Sequence, residues 1–179
     1  MLARLFFFTA LFSAHAFAQT ATRTQAPDVI YVPTPYEVVD EMLKLAGVKK
    51  GDVLYDLGSG DGRIPVTAAK KFGIRAVGID IDPQRIEEAK ENARKNGVAR
   101  LVEFRNEDLF RTKFGDATVV TLYLLPDLNV KLRPRLLAEL KPGTRIVSHQ
   151  FPIGGWPPDE TRHADDDQTD LFLWTVPAR

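Results

Sequence analysis

Apolar residues in this chain follow two rhythms. Short, nearly continuous apolar runs at 53–57, 76–80 and 117–125 are separated by stretches in which apolar residues recur at helical spacing. Continuous runs predict strands buried on both faces, and the intervening periodicity predicts amphipathic helices. Alternation of the two predicts an α/β domain built on a parallel sheet.

The elements can be read in order. Val39, Met42, Leu43 and Ala46 make one apolar helix face that Gly47 closes. Thr34 is the expected N-cap of that helix, with Pro35 in its first position and Glu37 completing a capping box. A second helix is expected over 62–72, stopped by Gly73. Asp82 and Pro83 cap a third, which turns Ile86, Ala89 and Ala93 inward and ends at Gly97. Alternation over 101–105 predicts an edge strand, and 117–125, the longest apolar run after the N-terminus, predicts a central strand beside 53–57. Residues 128–140 have a helical pattern that Pro134 should kink or restart. After a Lys-Pro-Gly break at 141–143 come a strand at 145–148, a loop rich in proline and glycine at 151–159, and a hairpin. The hairpin pairs 161–164 with 171–176 around an acidic turn at 165–167.

The N-terminus follows different rules. Arg4, an apolar stretch over 5–12 and Ala16-Phe17-Ala18 read as a signal peptide over 1–18, cleaved before Gln19. The apolar stretch is short of the roughly 20 residues of a membrane span. Residues 19–30 read as a flexible linker and 31–179 as one domain. An exported, periplasmic protein is expected; the alternative is a membrane-anchored one, with membrane association only if 1–18 stays uncleaved.

Composition narrows the classes. The chain has 179 residues, enough for one well-buried domain, and a formal net charge of zero, so no general attraction to nucleic acid is expected. It lacks cysteine, and its three histidines are scattered without ligand spacing, so no metal site is expected.

The chemistry concentrates at Asp56-Leu57-Gly58-Ser59-Gly60-Asp61-Gly62-Arg63. Glycines at this density, between a strand and a helix, let a ligand approach bare backbone. The spacing is G-x-G-x-G, whereas a dinucleotide fingerprint is G-x-G-x-x-G. Asp56 would also repel a pyrophosphate and welcome an ammonium group. The motif resembles the first motif of class I S-adenosylmethionine-dependent methyltransferases, acidic-x-G-x-G-x-G. That resemblance implies a Rossmann-like fold with a mostly parallel seven-stranded sheet, a C-terminal antiparallel hairpin, and S-adenosylmethionine as cofactor.

It also implies roles for individual residues. Gly58, Ser59 and Gly60 would form the turn beside the cofactor, and Asp56 would face its ammonium. Asp80, at the end of the second strand, would accept hydrogen bonds from the ribose hydroxyls. Asp108 would accept from the adenine amino group while Leu109 packs on the ring. Tyr31 and Thr34 would line the pocket entrance, and Tyr123, Pro126 and Trp156 would lie near the transferable methyl. His149 is on the same side but reads as a packed strand-end residue. No residue stands out as a general base.

Tyr31-Val32-Pro33-Thr34, Phe151-Pro152 and Trp156-Pro157-Pro158-Asp159 narrow the resemblance to the small protein-lysine methyltransferases that act on the c subunit of ATP synthase. This implies a protein lysine as acceptor. The eukaryotic members have an N-terminal membrane anchor where this chain has a cleavable signal, which leaves the substrate open. The alternatives are a small-molecule or lipid methyltransferase and an exported cofactor-binding module without turnover.

Overall fold

The structure is a computed structural model that describes residues 31–165 and 168–178. The expected signal and linker over 1–30, and residues 166–167 of the expected acidic turn, lie outside the described residues. Helix α1 (Tyr36–Leu45) precedes β1 (Val53–Leu57), followed by α2 (Arg63–Phe72), β2 (Arg75–Asp80), α3 (Pro83–Lys95) and β3 (Val102–Asn106). Next come β4 (Val119–Leu122), α4 (Pro126–Glu139), β5 (Arg145–His149), β6 (Glu160–His163) and β7 (Asp170–Thr175). The strands form one seven-stranded sheet in the order β3-β2-β1-β4-β5-β7-β6. The β1–β2, β1–β4, β2–β3 and β4–β5 pairs are parallel, while β7 runs antiparallel to both β5 and β6. This is the Rossmann-like architecture with a C-terminal antiparallel hairpin expected from the sequence.

Both sheet faces are covered, as the continuous apolar runs require. Leu54, Ala76, Val119 and Val147 pack with α1 and α2 on one face. Tyr55, Val77, Val120 and Ile146 pack with Leu132 and Leu136 of α4 on the other. Consecutive residues of each strand thus enter opposite cores, which polar alternation would have forbidden. The expected apolar face of α1 is buried throughout, at Val39, Met42, Leu43 and Ala46.

Three local expectations need correction. Thr34 does not cap α1: the N-cap is Pro35, without a side-chain cap bond, so the capping box with Glu37 does not form. The Thr34 hydroxyl is instead 3.0 Å from His149 Nδ1, because tertiary contact at the end of β5 offers it a buried partner. Pro134 does not restart α4, which runs through it from Pro126, two residues before the expected start. The packing of Leu132 and Leu136 against the sheet outweighs the single main-chain bond the proline removes. Finally, the central strand is only Val119–Leu122; its apolar continuation through Leu125 leaves the sheet to enter α4. Asp82 does cap α3 as expected, accepting the Gln84 N–H at 2.8 Å. Among the described residues no helix is long and apolar enough to cross a membrane.

Candidate functional site

The strand order reverses between β1 and β4, and a cleft partly open to solvent lies beyond their carboxyl ends. Open α/β sheets bind ligands at such a switch point. Its floor is the β1–α2 turn. Gly58, Gly60 and Gly62 there adopt φ of 89°, 51° and 73°. The contacts at two of them also crowd any side chain. A Cβ on Gly60 would lie 2.3 Å from the Tyr31 ring, and one on Gly62 would lie 2.4 Å from Phe104 and 2.8 Å from Ala89.

Five amides of this turn are held by bonds within the protein. Gly58 and Ser59 both donate to the Ile79 carbonyl at 2.9 Å, and Gly62 donates to the Ser59 carbonyl at 2.9 Å. Gly60 donates to Asp80 Oδ2 at 2.8 Å, and Arg63 N–H donates to Asp61 Oδ1 at 3.2 Å. A phosphate site needs free amides at a helix N-terminus. This turn instead presents carboxylates to the cleft, from Asp56, Asp61 and Asp80. This set of acceptors fits a ligand carrying an ammonium and hydroxyls, such as S-adenosylmethionine, and does not fit a pyrophosphate. The Ser59 hydroxyl, buried in the same wall, has no protein partner.

The acids differ in environment. Asp56 is 2% exposed and accepts a hydrogen bond from Thr121 Oγ1 at 2.7 Å. Burial pushes its carboxyl up to about 8, against the opposing pull of that hydrogen bond. Asp80 is also raised by burial, while the amides of Asp82 and Gly60 pull it back. Its two oxygens each hold one of those amides, at 2.9 and 2.8 Å, so this acid fixes the turn as well as facing the cleft. Burial would raise Asp61, but the Arg63 guanidinium outweighs it and leaves that carboxyl below its usual range.

The lead-in before α1 closes one side. Tyr31 and Thr34 lie in the cleft wall. Arg63 Nη1 donates to the Thr34 carbonyl at 2.8 Å and its Nη2 to Asp61 at 2.7 Å, while the Arg85 guanidinium sits 4.8 Å from the Tyr31 ring centroid. Sequence reasoning gave neither arginine a role. Arg63 ends the glycine motif, but its reach back across the chain leaves no signal in local spacing.

Asp108 and Leu109 line the opposite wall. Asp108 Oδ1 accepts the Phe110 N–H at 2.8 Å, so the acid also shapes its own turn. Arg135 of α4, another residue the sequence did not single out, donates to the carbonyls of Leu109 at 3.0 Å and Thr112 at 2.6 Å and holds this turn in place. Tyr123, Leu124 and Leu128 form the apolar end.

Two expected substrate residues are elsewhere. Pro126 begins α4 and does not line the cleft. Trp156 packs against Trp174, with ring centroids 6.1 Å apart, and its carbonyl accepts the Trp174 Nε1–H at 2.9 Å. The loop folds back onto the α4 side of the sheet because Trp174 offers it an apolar seat there. Among the described residues no cluster of three or more His, Asp or Glu could hold a metal ion.

The family described as the ANTKMT methyltransferase domain matches residues 56–160, more than half of the chain. A protein-lysine N-methyltransferase of Saccharolobus islandicus (strain REY15A) is 50% identical over 153 residues, covering 84% of this chain and 95% of that protein. The chain belongs to this methyltransferase family. The Homo sapiens lysine N-methyltransferase of the ATP synthase c subunit is 32% identical over 129 residues, and the match spans 72% of this chain and about half, 54%, of that longer relative. Among solved structures, an RNA methyltransferase from Salinibacter ruber in complex with S-adenosyl-L-homocysteine is 55% identical, with a TM-score of 0.80 over 83% of this chain and 95% of that one. These family relations agree with the cleft's position at the switch point and with its phosphate-averse turn.

Proposed function

We propose that the protein transfers a methyl group from S-adenosylmethionine to the side-chain nitrogen of a protein lysine. The observation that carries the cofactor is the β1–α2 turn, where Gly58, Ser59, Gly60, Gly62 and Arg63 spend their amides on internal bonds while Asp56, Asp61 and Asp80 face the cleft. Asp80 would take the ribose hydroxyls, Asp56 the ammonium, and Asp108 with Leu109 the adenine. When bound, the cofactor supplies an electrophilic methyl on a good leaving group. The chain therefore has to position the acceptor and exclude water. Tyr123, Leu124 and Leu128 give an apolar wall in which a lysine ammonium loses its proton more readily than in water.

The relatives named above differ in acceptor, protein lysine in one and RNA in another. The zero net charge of this chain favours the protein, since RNA binding draws on an excess of Lys and Arg. The N-terminal signal pattern supports a periplasmic location after cleavage before Gln19, which mass measurement of the intact protein from its native cells would test.

Calorimetric titration of the full chain with S-adenosylmethionine, with NAD as control, tests the cofactor. Tritium transfer to a lysine-rich histone mixture or to bulk tRNA tests the acceptor. Label in acid-stable lysine derivatives is the expected result; label in tRNA alone would overturn the lysine reading.

A further inference from the structure

Asn129 ends the first turn of α4, on the side otherwise occupied by Leu132 and Leu136, and is completely buried. Its Nδ2 faces three main-chain carbonyls, those of Leu124 at 3.4 Å, Phe151 at 3.2 Å and Pro152 at 3.5 Å. Its Oδ1 is buried without a hydrogen-bond partner. A leucine would cover the sheet without burying an unpaired carbonyl oxygen, so packing does not account for the carboxamide. What the carboxamide adds is a tie between the turn after β4 and the connection after β5.

That connection is held unusually firmly. Gln150 has φ 66°, the one non-glycine residue with positive φ among those described. The Phe151 N–H closes back onto the His149 carbonyl at 2.8 Å, a γ-turn that side chains disfavour. It is fixed by the Gln150 N–H on the Asp170 carbonyl at 2.7 Å, by Ser148 Oγ on the Phe151 carbonyl at 2.6 Å, and by Asn129 on that same carbonyl. Backbone held in a disfavoured region by several bonds points to a functional demand. Its consequence here is that the Phe151 ring stacks beside Tyr123, with centroids 6.4 Å apart and an interplanar angle of 20°. Tyr123 also packs on His149 at 3.8 Å and lines the cleft.

We propose that Asn129 is a positioning residue for the methyl acceptor, holding the turns after β4 and β5 so that Phe151 backs Tyr123, the ring that faces the lysine side chain in the cleft. This rests on the lysine reading above. Aromatic faces suit both the methylene stem and the ammonium of that side chain. Asn129 itself touches neither cofactor nor acceptor; it acts through the two rings.

The test is a double-mutant cycle of Asn129→Leu and Phe151→Leu, with tritium-labelled S-adenosylmethionine and histone mixture or tRNA as acceptor. Asn129→Leu is expected to change acceptor KM or kcat by about tenfold and cofactor affinity by less than about twofold. In the Phe151→Leu background the Asn129 effect should shrink, because both act through Tyr123. Asn129→Ser, which keeps one donor, should fall between, and serves if the leucine variant folds poorly. Wild-type acceptor kinetics in a folded Asn129→Leu protein, or effects that simply add, would reduce Asn129 to a structural residue and overturn the proposal. If tRNA alone is labelled, the lysine reading fails while the same cycle on tRNA kinetics still decides the role of Asn129.

Discussion

Thr34 Oγ1 and His149 Nδ1 form a buried hydrogen bond at 3.0 Å across a sequence separation of 115 residues. It joins the lead-in that walls the cleft to the end of β5. Thr34→Val keeps the shape and removes the bond, leaving the imidazole nitrogen without this partner. We expect a loss of about 1 kcal/mol in stability by denaturant titration. Cofactor dissociation should also quicken in stopped-flow displacement. An unchanged dissociation rate would show that this bond does not hold the lead-in over the cofactor.

Asp80 accepts two backbone amides, from Gly60 and Asp82. Asp80→Ala should weaken S-adenosylmethionine binding by about 1.5 to 3 kcal/mol, roughly ten- to hundredfold in dissociation constant. Because the same carboxylate anchors the turn, the thermal midpoint of the cofactor-free protein should fall as well. Asp80→Asn, with one acceptor oxygen left, should recover part of the stability but little of the affinity. Full affinity in a folded alanine variant would remove Asp80 from the ribose site.

Asp56 gives the pH dependence. Its carboxyl is raised from 3.8 to about 8 in the fold by burial, so between those values the folded state holds a proton that the unfolded state has lost. Its contribution to stability is therefore complete below about pH 4, declines as pH rises, and is gone above about pH 8. Asp56→Asn should flatten the fall of thermal midpoint over that window. A parallel slope in wild type and variant would contradict the assignment.

Binding an ammonium beside Asp56 should expel that proton. Calorimetry near pH 7 in buffers of different ionisation enthalpy should show proton release on S-adenosylmethionine binding to wild type, and less to Asp56→Asn. Equal heats in all buffers for wild type would place the cofactor's ammonium away from Asp56.

Gly62→Ala should cost stability by about 2 to 4 kcal/mol, since φ of 73° is strained for alanine and its methyl would strike Phe104 and Ala89 in the α2–α3 core. Gly60→Ala meets the outer edge of the Tyr31 ring, which can swing away. It should therefore cost less stability than Gly62→Ala and more cofactor affinity. The reverse ranking, by thermal melts and calorimetry, would contradict this division of labour.

The layers and the cofactor loop were legible in the apolar pattern and the glycine spacing alone. Runs such as 53–57 and 76–80 are apolar almost throughout, and only strands covered on both faces account for that. The G-x-G-x-G spacing with Asp56 ahead of it carried its chemistry locally, because the turn's backbone demands and its nearest acid are all within a few residues. Contacts between distant parts of the chain settled the rest. Thr34 has the identity and position of an N-cap, yet a buried partner on β5 takes its hydroxyl. Pro134 is a helix breaker, yet the burial of Leu132 and Leu136 against the sheet carries α4 through it. Trp156 is next to Pro157 and Pro158 in a loop that pattern places near the methyl, but Trp174 draws it to the α4 side of the sheet. Arg63, Arg135 and Asn129 act on carbonyls far along the chain, and periodicity carries no trace of a hydrogen bond that forms only once two distant turns are brought together.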